Sequence, residues 1–181
     1  MIHIENMTKN QKNDKTNEAD EMDISVRPLT DDDVLLEMSQ INKVDKTIIS
    51  DIFNSYYQEI QSILTAASRL TQEEIEIVEL ERLRRLIRLL PIEELFIRSK
   101  DKIWAVRNHI LNKNADYFLN KDYSKIIKKD KKQGFIESII SIIKDRYTEM
   151  DDANKEFYWQ RAIKLLHCVA RLKKELSKLN E

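Results

Sequence analysis

Apolar residues recur at steps of three and four along most of the chain beyond residue 33, the period of a helix that buries one face. The longest such stripe is Ile48, Ile49, Ile52, Phe53, Tyr56, Ile60, Ile63, Leu64 and Ala67, which predicts a helix from a cap at Asp45 to about Ser68. A shorter helix precedes it from Asp31 to about Asn42, with Val34, Leu35, Met38 and Ile41 facing inward. Thr71 to Glu74 has the capping-box pattern, so a third helix starts there. Its apolar positions (Ile75, Ile77, Val78, Leu80, Leu83, Leu86, Ile87, Leu89, Leu90) fill more than one stripe and predict contact on two sides.

Pro91 suits the first residue of a fourth helix, which carries Leu95, Phe96, Ile103, Trp104, Val106, Ile110 and Leu111 and fades at Asn112 to Asn114. Residues from Asp122 to Lys132 read as a loose turn or two of helix. Beyond Gly134, Phe135 to Arg146 predicts a further helix, because the charges Glu137, Lys144 and Asp145 fall at helical spacing among the isoleucines. The last helix runs from about Asp151 to Leu179, and Tyr158, Ala162, Leu165, Val169, Leu172, Leu176 and Leu179 form a heptad stripe that calls for one long straight partner.

Residues 5 to 23 hold almost no apolar side chains, and ordering such a segment costs more entropy than it can recover by burial. The sequence therefore divides into a disordered acidic tail, 1–28, and a single helical domain, 29–181. Residues 1 to 33 carry nine acids against four bases, a net of −5 in a chain whose formal charge is −1, so the body is mildly basic. An acidic tail of this kind can fold back on the body or hold it off nucleic acid.

One glycine and two prolines in 181 residues are too few for the tight turns of a barrel or sandwich, and they exclude glycine-rich phosphate loops. The fold class is all-α: an irregular bundle of five or six helices. The one cysteine, Cys168, can form neither an internal disulfide nor a cysteine metal cage. With no signal-like or membrane-spanning apolar run, the expected setting is intracellular, cytoplasmic or within a virion, with no membrane partner.

Candidate chemistry is sparse. His3, His109 and His167 make no ligand pattern with carboxylates or the cysteine, and His167 and Cys168, adjacent on a helix, point about 100 degrees apart. Asp31, Asp32 and Asp33, like Asp151 and Asp152, read as acids at a helix start. Arg82, Arg84, Arg85 and Arg88 lie at pairing distance from Glu76, Glu79 and Glu81. Neither catalytic nor metal residues emerge, and no cofactor is implied.

Two segments remain as candidate sites. Lys121, Lys125, Lys128, Lys129, Lys131 and Lys132, interleaved with Tyr117, Phe118 and Tyr123, form a candidate anion or nucleic-acid site, diluted by Asp116, Asp122 and Asp130. Tyr158, Leu165, Val169, Leu172, Leu176 and Leu179 form a candidate interface for a protein partner or a second copy. A non-enzymatic interaction or structural protein is thus the first reading, a helical nucleic-acid or phosphate-binding protein the second, and an enzyme built from carboxylates and lysines the third.

The stretch from Asn114 through Tyr117, Phe118 and Tyr123 to Phe157, Tyr158 and Trp159 resembles helical segments of uncharacterised proteins of large nucleocytoplasmic DNA viruses. The lysine, isoleucine and asparagine bias is similar to that of A+T-rich genomes of this kind. The resemblance implies a virion or virus-factory protein, and supplies no activity and no functional residues.

Overall fold

The computed structural model describes residues 26–70, 73–129, 132 and 134–180. These form nine helices and no strand: α1 (Asp31–Ile41), α2 (Lys46–Leu70), α3 (Glu74–Leu89), α4 (Ile92–Ala105), α5 (Arg107–Leu111), α6 (Ala115–Leu119), α7 (Ser124–Lys129), α8 (Phe135–Tyr147) and α9 (Asp152–Ser177), closed by a 3-10 turn at Lys178–Asn180. The six longer ones are the bundle expected from periodicity. The three short ones, α5 to α7, bridge between them.

Helix starts follow local side-chain chemistry. The Thr30 hydroxyl accepts from the Asp33 amide at 3.1 Å while Asp33 accepts from the Thr30 amide at 2.8 Å, closing a capping box on α1. Arg27 donates to both Asp33 oxygens at 2.9 and 3.0 Å. Asp45 accepts from Thr47 and Ile48 ahead of α2, and Asp151 from Asn154 ahead of α9. The acids at 31–33 and 151–152 are therefore helix starts.

The heptad stripe of α9 finds its long partner within the chain. Arg161 pairs with Glu59 at 2.9 Å and Arg171 with Asp51 at 3.7 Å, so α9 lies antiparallel along α2. Beside the Arg171 rung Val169 and Leu172 are buried where α9 meets α2. A second antiparallel pair joins α3 and α8, where Arg146 meets Glu76 at 2.9 Å and Arg82 donates to Ser138 at 3.0 Å.

α4 runs through the middle. Six consecutive residues, Leu95 to Lys100, are buried, which needs neighbours on every side of the helix. α1, α2, α8 and α9 supply them. Phe96 sits edge-on to Phe53 and Tyr56 at 5.5 and 4.9 Å, and the Tyr56 and Ser99 hydroxyls meet at 2.8 Å. Two cations are enclosed with them. Arg98 pairs with Asp31 and with Glu94 (2.9 Å) and donates to the Leu29 carbonyl at 2.9 Å. Lys100 pairs with Glu37 and Asp101, each at 2.8 Å. Burial pulls the Lys100 ammonium down, but its bonds to Asp101 and Glu37 outweigh that and hold it above the usual lysine range.

Several expectations change. The disorder expected for 1–28 falls on residues 1–25, which lie outside the described residues; from Val26 onward the chain is placed, and Leu29 packs on the core. Leu35 is 67% exposed because the apolar contacts of α1 with the core run through Val34, Met38 and Ile41. The cap expected at Thr71 lies outside the described residues, and α3 is described from Glu74. α3 is covered on one side: Leu80, Leu83 and Ile87 are buried against α2 and α8, while Ile75 (81%), Val78 (64%) and Leu89 (78%) lie open on the opposite face. The expected fourth helix breaks at Val106, whose backbone (φ −98°, ψ 15°) leaves the helical region, and Pro91 precedes α4 rather than opening it. α6 was not foreseen.

Two outcomes follow from this packing. Leu172→Ala should lower the unfolding free energy by about 2–5 kcal/mol in urea titrations, whereas Leu179→Ala should stay within about 0.5 kcal/mol. The amide and hydroxyl of Thr30, and then Arg27, hold the Asp33 carboxyl below the usual aspartate range. Its contribution is therefore present above that range and lost as pH falls through it. Asp33→Asn should lower the melting temperature at neutral pH, and the two proteins should converge in acid.

Candidate functional site: a cavity beneath the short helices

Where α4 breaks, α5 to α7 cross to α8 without filling the space beneath them. Each has only five or six residues, too few to present a continuous apolar face. The result is a cavity of about 920 Å³. Its floor is Ile60 and Ile63 of α2 with Leu165 and Ala162 of α9; one wall is Ile136, Ile139, Ile140 and Ile143 of α8, and the other is Ile103, Val106 and Ile110.

An arc of aromatic residues frames it. His109 stacks on Tyr117 at 3.7 Å, Tyr117 meets Phe118 edge-on at 5.1 Å, and Phe118 meets Trp159 at 5.8 Å. Trp159 Nε1 donates to the Tyr147 hydroxyl at 2.8 Å, and Tyr123 donates to the Phe118 carbonyl at 3.3 Å. Asn114 caps α6 by accepting from the Tyr117 amide at 3.2 Å, following Lys113 at φ 50°. These contacts hold the roof open where helix packing alone would not.

The lining also carries charge. Lys102 Nζ lies 2.7 Å from Glu137 Oε1, an ion pair with side chains 17% and 10% exposed. Four buried side-chain polar atoms lack a hydrogen-bond partner among the described residues, and two of them, Glu137 Oε2 and the Tyr158 hydroxyl oxygen, belong to residues of the cavity lining. The others sit on Arg82 and Arg161, each of which is paired through other nitrogens: Arg82 Nε with Glu79 and Arg161 Nη1 with Glu59. Burial pushes the Tyr158 phenol up to about 12. Burial likewise raises Tyr123, with Tyr117 and Glu137 adding to it. Both phenols stay protonated at neutral pH.

The lysines of the basic segment whose side chains are described have different surroundings. Lys121 lies over the Tyr117 ring at 5.6 Å and borders the cavity with Lys125. Lys128 is exposed, and Lys132 is 3.4 Å from Glu94. The side chains of Lys129 and Lys131 lie outside the description. Of the expected interface, Tyr158 and Leu165 line the cavity, Val169 and Leu172 are buried along α2, Leu176 is half-buried and only Leu179 is exposed (43%). That stripe is internal packing, because α2 is long enough to cover it. Of the arginine cluster, Arg82 pairs with Glu79 and Arg84 with Glu81.

Cys168 is buried, and its thiol is pushed up to about 11, first by burial and then by nearby Glu59, so it is a neutral core group. No cluster of three or more potential metal ligands occurs among the described residues, and none of the described helices is long and apolar enough to cross a membrane. Glu137 and Lys102 were missed as a pair. A lone acid within Phe135 to Ile143 was the available signal, but helical spacing alone placed it on a solvated face.

No protein-family model, curated protein or solved structure matches this chain.

Lys102→Ala should cost about 3–5 kcal/mol of stability, since it leaves the Glu137 carboxylate enclosed without its counter-charge. The double variant Lys102→Met with Glu137→Met should recover most of that loss in urea denaturation.

Proposed function

We propose that this is a non-enzymatic binding protein whose binding element is the cavity beneath α5 to α7, and that it takes up a small apolar molecule. The observation that carries this reading is the cavity itself. At about 920 Å³ it falls at the upper end of the roughly 300–1,000 Å³ typical of small-molecule sites, and its isoleucine-rich walls make most of its surface apolar, as is usual for such sites. Binding is favoured over reaction because several titratable groups of the wall are already engaged within the protein: His109 with Tyr117 and Asn114, Tyr123 with the Phe118 carbonyl, Lys102 with Glu137.

Association through α9 has little left to work with, since Leu179 is the one member of its stripe on the outside. The nucleic-acid reading has Lys125 and Lys128 as exposed cations, without a stacked aromatic between them. A virion setting, implied by the resemblance, is compatible with any of these roles.

The neutral fluorophore N-phenyl-naphthylamine should bind saturably to the full chain with enhanced emission. Ala162→Phe and Ile140→Phe, which fill the cavity from α9 and α8, should each weaken it by about ten-fold, the order expected for removing a well-formed apolar site. The circular dichroism should remain helical. Unsaturable emission, or binding indifferent to both substitutions in folded protein, would remove the cavity as the site.

A further inference from the structure

Resting on that reading, we infer that the cavity's ligand is an amphipathic anion, an apolar chain ending in a carboxylate, with the chain along the isoleucines of α8 and the headgroup beside Lys144 and Lys121. Ile136, Ile140 and Ile143 follow one another at steps of four and three, and Lys144 and Tyr147 continue the same lining. Lys144 therefore stands one turn beyond Ile140, at the end of the apolar row. Its ammonium reaches across to the segment after α6, where it donates to the Lys121 carbonyl at 2.8 Å and lies 5.9 Å from the centre of the Tyr123 ring. That contact brings Lys144 and the Lys121 backbone to one part of the lining.

The headgroup preference comes from a surplus of cations. The lining holds Lys102, Arg107, Lys121, Lys125 and Lys144 against Asp122 and Glu137. Lys102 and Glu137 pair with each other at 2.7 Å, which leaves four cations and one acid. None of the four is bonded to a carboxylate among the described residues. Arg107 donates to the Trp104 carbonyl at 3.1 Å and lies over that ring, Lys121 lies over Tyr117, and Lys125 is exposed.

Elsewhere in the fold half-buried and buried cations are matched with acids, as Arg146 is with Glu76, Arg161 with Glu59, and Lys100 with Glu37. Lys144 departs from that pattern: it is half-buried, and both groups that hold it are neutral. A carbonyl and a ring orient an ammonium without cancelling its charge, so its field persists beside an apolar space, where it is screened less than in water. Asp122 is the one opposing group at this rim. Its carboxylate is held below the usual aspartate range first by its bonds from Ser124, whose amide lies at 2.9 Å, and then by Lys125 and Lys144. One acid among Lys121, Lys125 and Lys144 leaves the rim net positive. An ammonium headgroup is repelled there and a hydroxyl gains little, whereas a carboxylate supplies the missing counter-charge while its chain covers the isoleucines.

Calorimetric titration of the full chain at neutral pH with decanoate, decanol and decylamine, which share one chain and differ only in headgroup, tests the inference. Decanoate should bind tightest, by about ten-fold over decanol, the order of one hydrogen bond to a charged group, and decylamine weakest. Lys121→Gln with Lys144→Gln should remove most of the preference for decanoate over decanol, and high salt should narrow it in the native protein by screening. Decanol or decylamine binding as tightly as decanoate would overturn the anionic assignment and leave the cavity reading in place. A preference undiminished in the folded double variant would do the same; should that variant fail to fold, a preference indifferent to salt in the native protein would do so. Failure of all three ligands with N-phenyl-naphthylamine still bound would also overturn the anion alone. Failure of the fluorophore as well would overturn both.

Discussion

The complete enclosure of α4 is the constraint on which the other elements depend. A helix with Leu95 to Lys100 all buried cannot lie on a surface, so the chain must surround it, and two of the six residues are cations. Charge in such a place requires opposite charge at hydrogen-bond distance, because desolvation costs several kcal/mol per ion otherwise. The acids arrive from both directions. Glu94 and Asp101 come from α4 itself, and Asp31 and Glu37 from α1. α1 is tied to this centre through Asp31 and Glu37, which reach Arg98 and Lys100, together with the packing of Val34, Met38 and Ile41.

The same centre explains the cavity. α4 ends at Ala105, where the break at Val106 turns the chain toward short helices that do not match the length of α8 and α9 beside them. Long helices pack by interdigitating whole rows of side chains, and five-residue helices have no such rows. The roof is held by individual contacts among His109, Tyr117, Phe118, Trp159 and Tyr147 instead. Space remains below it because aromatic pairs fix ring positions at their own preferred separations, regardless of what lies underneath.

Legibility in the sequence divided along these lines. α2, α8 and α9 were readable because a long amphipathic stripe is set by local period alone, and Asp45 and Asp151 marked their starts. The partner of the α9 stripe was not readable, since heptad spacing specifies that a straight partner exists and not whether it belongs to the same chain. Nor was the single-sided packing of α3: Ile75, Val78 and Leu89 are apolar in the sequence and exposed in the fold. Arg98, Lys100 and Glu137 were hidden for the opposite reason, because a charged residue at helical spacing looks solvated until the fold brings counter-charges from other helices, here Asp31, Glu37 and Lys102, beside it. The cavity lining could not be foreseen, as it joins α2 to α9 through residues that no local pattern links.

Tyr158 brings the two halves of the molecule together. In the heptad stripe it stands where Leu165 and Leu172 stand one and two repeats later, and for packing a leucine or phenylalanine would serve equally well. Its hydroxyl meets no partner among the described residues, and enclosing it unpaired is unfavourable. Tyr158 belongs to the cavity lining as a residue, as does Glu137 on α8, whose Oε2 is a second enclosed oxygen without a partner among the described residues. The lining they share also holds Lys102, Arg107 and Lys144 among its isoleucines, which distinguishes this cavity from a packing defect with purely apolar walls.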